Sequence, residues 1–384
     1  MDSKSPPTGQ SALPPAPAVQ VGLVLSGGGS RSAFQIGALR ALVPYIEQKG
    51  HISVIVGSSV GAINGIVIGS WLRSGLPSAL ERIESVWLER NFKNTFDGSP
   101  SRAFLRAIQV AVMQYVAPGP KSTDRAIFNP RPLMTAVDQL MEEGGGLEPE
   151  TREKHLRAVA VMTTIDGPER RGLLFVSAQD GVVFHDSAGI AFDVCLLRKM
   201  NASHAFASAA LPSVLPPVTL NLDTRQVRLV DGGISDNIPV DPACRLGATD
   251  LIVIDNSGRR WWLDRVGKPH DTREPWEIAY KDGDFCVRPN SYLEVRNTLG
   301  FGPLLKEAVG RSTRDFVAAL GPVWPIFKIL RGKLGEEVAY EAVSYCALHP
   351  DYMSAVIQRG YEEALGVITK LASESAERHA QSIP

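Results

Sequence analysis

The chain of 384 residues has almost no excess of charge, with 40 lysines and arginines against 41 aspartates and glutamates. That balance supplies no general attraction to nucleic acid, and no nucleic-acid partner is expected. Cysteine is scarce. The four, at positions 195, 244, 286 and 346, form no CxxC pair, which excludes the usual zinc and disulfide frameworks and fits a reducing compartment. The sequence carries no clustered His, Asp and Glu ligands, so neither a metal nor another cofactor is expected. Residues 1–19 are rich in Pro, Ser and Ala and lack the apolar stretch of a signal peptide, so they are expected to be disordered. Charge is also missing from Ile52 to Leu72, a stretch long enough to span a bilayer. Four glycines and the polar Ser58, Ser59 and Asn64 interrupt it, and a strand, a tight turn and a buried helix account for it better. A cytoplasmic location follows, with peripheral membrane contact left open.

What is present is an alternation of short apolar runs and helical spacing. Val21 to Leu25 reads as a buried parallel strand and is followed by a run of glycines. Phe34, Ile36, Leu39, Leu42, Val43 and Ile46 then recur at helical spacing, with Pro44 expected to kink the helix and Gly50 to end it. Ile52 to Val56 is a second buried strand and Val60 to Arg73 a second helix. This βαβα pattern predicts an α/β fold, three layers deep, with a mostly parallel central sheet. Ser78-Ala79-Leu80-Glu81 has the form of a capping box that opens a third helix. Leu156 to Thr163 and Leu173 to Ser177 read as paired strands around an Asp166-Gly167-Pro168 turn, and Val227 to Val230 and Leu251 to Ile254 as two more strands. Beyond about Trp261 the composition shifts, and Met353, Ile357, Tyr361, Leu365, Ile368 and Leu371 mark a long amphipathic helix. Three segments are therefore expected: 1–19, a catalytic domain over 20–260, and a mainly helical extension over 261–384 packed on it.

Three blocks carry chemistry. Gly57-Ser58-Ser59-Val60-Gly61 is a G-x-S-x-G sequence between a strand and a helix, as a nucleophile elbow requires. The serine needs a strained backbone to lift its hydroxyl, and flanking glycines let the chain double back. Gly27-Gly28-Gly29-Ser30-Arg31 brings several backbone N–H groups to one point, as an oxyanion hole needs, where one donor is worth about 3–4 kcal/mol in the transition state. A dinucleotide cradle is the competing reading of this loop, but its last glycine position is occupied by Ser32. Asp231-Gly232-Gly233 follows a strand end, where a carboxylate of a parallel sheet faces the ligand crevice and can serve the serine as base. Seven histidines are present, and a Ser-His-Asp order would single out His270 or His349, neither with a distinctive neighbourhood.

In order and spacing these blocks resemble the patatin-like phospholipase family. The glycine loop is similar to the family's oxyanion loop, the elbow to its nucleophile motif, and Asp231-Gly232-Gly233 with Asn237-Ile238-Pro239 to its D-G-[AG] motif. Ala207 to Pro212 is similar to the stretch that precedes that motif. The resemblance covers about residues 20–260 and departs at Ser32, where the family often has glycine. It implies a patatin-like fold, a Ser59–Asp231 dyad without histidine, and hydrolysis of phospholipid or other lipid esters. Gly28 and Gly29, with Ser30, are expected to hold the oxyanion, and Arg31 either to stiffen the loop or to meet a headgroup phosphate. A soluble esterase and a silent lipid-binding protein remain alternatives. The stretch from Arg90 to Arg131, with seven cations against two anions, reads as a solvated face or a flap for anionic headgroups. Val323 to Arg331, apolar and cationic, reads as packed on the domain or partly inserted in a bilayer. The oligomeric state is not indicated.

Overall fold

Every residue of the first strand is buried, and its side chains divide between two apolar clusters, one on each face of the sheet. In β1 (Val21–Leu25), Leu23 and Leu25 belong to the larger apolar cluster and Val24 to a smaller one on the opposite face. In β2 (Ile52–Ser58), Ile55 faces the large cluster while Val54 and Val56 face the small one. The computed structural model describes residues 19–97, 103, 105, 126–182, 184, 192–222, 225–256 and 289–381.

Nine strands among these residues form one sheet. β1 and β2 are joined by β3 (Ala158–Ile165), β4 (Gly172–Ala178), β5 (Phe192–Leu196), β6 (Val218–Leu222), β7 (Arg225–Val230), β8 (Asp250–Asp255) and β9 (Ser291–Arg296). The main path runs β5-β4-β3-β2-β1-β8-β9, and all its neighbours are parallel except β3 and β4. The fold is thus α/β with a mostly parallel sheet, as the alternation of runs predicts. The Asp166-Gly167 turn joins the antiparallel β3–β4 pair.

The small cluster is closed by Val240, Ala243 and Cys244 of a short helix, and the large one by α1 (Ala33–Lys49), α2 (Val60–Trp71) and α3 (Leu76–Glu89). The helix of α1 continues through Pro44 to Lys49, and Gly50 ends it at φ 130°. α3 does not begin at the expected Ser78 capping box. It starts at Leu76 because Gly75, at φ 92°, turns the chain and Pro77 sits in the first turn, where a missing N–H costs nothing. The uncharged run from Ile52 to Leu72 is divided among β2, the turn at Ser59 and α2. No helix among the described residues is long and apolar enough to cross a membrane.

Beyond residue 289 the chain is largely helical, yet β9 returns to the sheet and pairs with β8. The last helix, Pro350–Gln381, lies across α1 at backbone contact. A side chain at Gly37 would collide with the Ile357 carbonyl, and one at Gly360 with the Phe34 carbonyl. Gly37→Val is expected to lower the free energy of unfolding by about 1–3 kcal/mol through overpacking, measured by urea denaturation.

Candidate active site

The ends of three strands bring the chemical residues together. β2 and β3 run parallel, with Ser58 opposite Met162, and β3 continues past the end of β2 to Ile165. β7 returns antiparallel along that overhang, with Leu229 opposite Ile165 and Val230 opposite Thr164. The next residue, Asp231, therefore arrives beside the end of β2. The motif lies at a strand end as expected, but that strand is antiparallel to its neighbours.

Ser59 follows β2 at φ 51° and ψ −131°, a backbone that non-glycine residues rarely adopt. Gly57 packs against the backbone of Ala62, and Gly61 against the Leu25 and Ser26 carbonyls, so neither position has room for a side chain. The Ser59 amide donates to Ser208 Oγ at 2.7 Å, and Ser208 Oγ–H donates to the Met162 carbonyl. Ser59 Oγ donates to Asp231 Oδ2 at 2.7 Å. Asp231 Oδ1 accepts the Gly233 amide at 2.8 Å, and Thr164 Oγ1 donates to the Asp231 carbonyl at 2.8 Å. Gly232 lies against the Met162 carbonyl. Burial pushes the Asp231 carboxyl up to about 6, against the hydrogen bonds from Ser59 and Gly233, which favour the ionised form.

The glycine loop lies beside this pair, and a side chain at Gly27 would strike Ser59 Cβ and the Asn237 side chain. The Gly27 amide donates to the Asn237 carbonyl at 3.2 Å and the Ser30 amide to the Tyr345 carbonyl at 2.9 Å. Between them, the Gly28 and Gly29 amides have no acceptor among the described residues. Of the three amides expected to hold an oxyanion, the Ser30 amide is thus already engaged. Gly29 adopts φ 59° with the Tyr345 carbonyl against its Cα, so glycine is required there twice over.

The Arg31 side chain faces away from this site. It is 1% exposed and does not line the cavity, which leaves it no access to a headgroup. Its guanidinium pairs with Glu341 at 2.9 Å, donates to Ser344 Oγ at 2.8 Å and to the Glu341 carbonyl, and stacks 3.7 Å from the Tyr345 ring centroid. Glu341 also accepts the Phe301 and Gly302 amides, at 2.9 and 2.6 Å. Ser32 keeps its hydroxyl satisfied by the Asn256 side chain, which also bridges to Ser26 Oγ. Serine is thereby accommodated in this turn.

An apolar cavity of about 570 Å³ opens from Ser59, Asp231 and Gly27 to Ser30. Its walls include Ile63, Trp87, Phe128, Phe206 and Leu215, and the C-terminal segment adds Tyr345, Cys346 and Leu348. No histidine lines it among the described residues. His349 turns its ring toward Asp351, and His270 lies outside the described residues. Glu341 and Tyr345 escape the sequence reading, and Ser208 and Asn237 enter it with no role of their own. Ser208 and Asn237 lie inside motif stretches, but Glu341 sits on unremarkable helical sequence and Tyr345 in the turn that follows it.

Glu341→Ala leaves the Arg31 charge buried without its partner and is expected to cost about 3–5 kcal/mol of stability in urea denaturation, whereas the paired change Arg31→Met with Glu341→Leu recovers most of it.

The model of the family described as patatin-like phospholipase matches residues 23–244, more than half of the chain. No curated protein sequence matches. Three solved structures are similar at low identity. Human GIVD cytosolic phospholipase A2 is 14% identical, with 94% of this chain and 60% of that one covered and a TM-score of 0.41. VipD from Legionella pneumophila is 11% identical, with 92% and 67% covered and a TM-score of 0.35. The type III effector ExoU of Pseudomonas aeruginosa is 14% identical, with 92% and 53% covered and a TM-score of 0.34. The chain spans between about half and two thirds of the length of these structures. With its family model spanning the glycine loop, the elbow and the Asp231 motif, the chain belongs to the patatin-like phospholipase family.

Proposed function

We propose that this protein hydrolyses the carboxylic esters of lipids through a Ser59–Asp231 dyad and an acyl-enzyme. Membership of the family supports lipid hydrolase activity in general. The observation that carries the finer reading is the 2.7 Å hydrogen bond from Ser59 Oγ to Asp231 Oδ2 at the wall of an apolar cavity. In the first step Oγ attacks the ester carbonyl as its proton passes to Oδ2, and the Gly28 and Gly29 amides take the developing oxyanion. Asp231 then gives the proton to the departing alcohol, leaving the acyl group on Ser59. Water attacks this ester, Asp231 again takes the proton, and the acid leaves with Ser59 restored.

A carboxylate is a weaker base than imidazole, which favours esters and thioesters over amides as substrates of the dyad. Its elevated pKa brings it closer to the working range of a general base. Asp231 acts in the ionised form. Activity is therefore present above the raised pKa and lost as pH falls through it, so kcat/KM is expected to rise with an apparent pKa of about 6.

Interfacial contact is assigned to the helix Trp324–Leu334, where Ile329 and Leu334 are exposed beside Lys328, Arg331 and Lys333.

Ser59→Ala is expected to reduce ester hydrolysis by about 10³-fold or more and Asp231→Asn by about 10²- to 10⁴-fold, measured on micellar lipid esters, while His349→Ala leaves the rate near wild type. Full activity in Asp231→Asn, with loss on replacing a histidine, would establish a triad instead. Co-sedimentation with vesicles separates the soluble-esterase alternative: hydrolysis of monomeric esters without vesicle binding, unchanged by Ile329→Glu, would remove the interfacial part of the proposal.

A further inference from the structure

Three helices each give the active-site cavity one stripe of side chains, and the stripes have the same length. Lining positions run from Val60 to Val67 on α2, from Ile83 to Arg90 on α3, and from Leu133 to Leu140 on the helix Arg131–Glu143. Seven residues of α-helix rise about 10 Å, so three walls agree on one depth. Ser59 caps the N-terminus of α2, and the stripe of that helix therefore measures the depth from the nucleophile itself.

Trp71 closes the far end. It sits one turn past Val67 on the same face of α2, and side chains on a helix lean toward its N-terminus, here back toward Val67. Its buried ring meets the deep ends of both other stripes. The indole N–H donates to the Leu140 carbonyl at 2.8 Å, and the guanidinium of Arg82, the neighbour of Ile83, lies 5.0 Å from the ring centroid. Gly144, just past the helix Arg131–Glu143, gives the ring its room, since a side chain there would strike the indole. On none of these three helices does a lining residue lie deeper than Val67, Ile83 and Leu140. With its one polar atom bonded and its ring held from two sides, Trp71 is a fixed floor.

An alkyl chain with staggered torsions advances about 1.25 Å per carbon, given bonds of about 1.5 Å opened to about 111°. Between an ester carbonyl at Ser59 and the indole there is room for about eight to ten carbons. A longer chain leaves its end in water or folds back, and each carbon left out loses the benefit of burial.

Resting on the lipid hydrolase reading above, we infer that Trp71 sets the acyl-length limit of this cavity and that its substrates are esters of medium-chain acids, of about eight to ten carbons.

The test reads binding apart from hydrolysis. Hexanol, octanol, decanol, dodecanol and tetradecanol, each below its solubility limit, are equilibrated by dialysis with full-length Ser59→Ala protein. Affinity is expected to rise about fourfold per carbon up to decanol, as burial of a methylene implies, and then to level off. Adding Val67→Phe, which fills the deep end, should stop the rise about two to three carbons earlier. Adding Trp71→Leu should carry it on to dodecanol or beyond, and Trp71→Phe, a milder truncation, should move the break the same way by less. An unbroken rise to tetradecanol in the Trp71-containing protein overturns the inference, as does affinity that is independent of chain length. A break that stays in place in Val67→Phe or in either Trp71 variant also overturns it. Val67 faces open cavity and Trp71→Phe keeps an aromatic ring, so a poorly folded Trp71→Leu protein does not remove the test. Turnover of the matching p-nitrophenyl esters by the wild-type chain is measured separately and should be fastest with octanoate or decanoate. Loss of the hydrolase reading would appear there as no turnover of any ester, with the break in affinity standing.

Discussion

A loop of glycines has no side chains with which to hold itself in place, and this active site depends on how that lack is met. The backbone from Gly27 to Ser30 is fixed mainly by other parts of the chain: Asn237 at one end, and Tyr345 with the Arg31–Glu341 pair at the other. The pair joins residues 310 positions apart and is fully buried, so its geometry is set by packing rather than by solvent. Burying two charges is costly, and the pair repays this only because most of its hydrogen-bonding capacity is used, by Ser344, the Glu341 carbonyl and two helix amides. The C-terminal segment is thus structurally part of the site. It also supplies one wall of the cavity through Tyr345, Cys346 and Leu348.

Asp231 illustrates a different balance. Among the described residues no cation lies beside it, so burial raises its pKa and two hydrogen bonds only partly oppose the rise. A cation in that position would hold the carboxylate ionised and weaken it as a base. The strained Ser59 backbone belongs to the same economy of placement, because the Ser208 hydroxyl satisfies an amide that would otherwise be stranded at the sharpest point of the turn.

Much of this was legible in the sequence because the demands are local. Two glycines around a serine, three glycines after a strand, and Asp-Gly-Gly after another each reflect a place where a Cβ would collide. The first two strands and their helices followed from short apolar runs, helical spacing and the glycines that end them. What stayed hidden was set by distant contacts. Glu341, on a helix, and Tyr345, in the turn after it, look unremarkable until Arg31 is placed against them. The antiparallel run of β7 could not be read from Val227, Leu229 and Val230 around Arg228, which suit either direction. The misplaced start of α3 had a readable cause, since Gly75 and Pro77 outrank a serine whose side chain makes no cap. β9 also left a trace: Leu293 and Val295 are buried in alternation with Glu294 and Arg296, a period of two hidden in charged surroundings.

The overhang of β3 acts as a ruler for the active site. Asp231 reaches Ser59 because β7 retraces the residues by which β3 outruns β2, so the serine–carboxylate separation is counted in strand residues. Each residue of strand measures about 3.3 Å, longer than the hydrogen bond it has to deliver. An insertion or deletion of one residue between Met162 and Ile165 would therefore miss by more than the bond's own length and turn the following side chains to the opposite face. The length of this short stretch of strand is therefore fixed by the chemistry it serves.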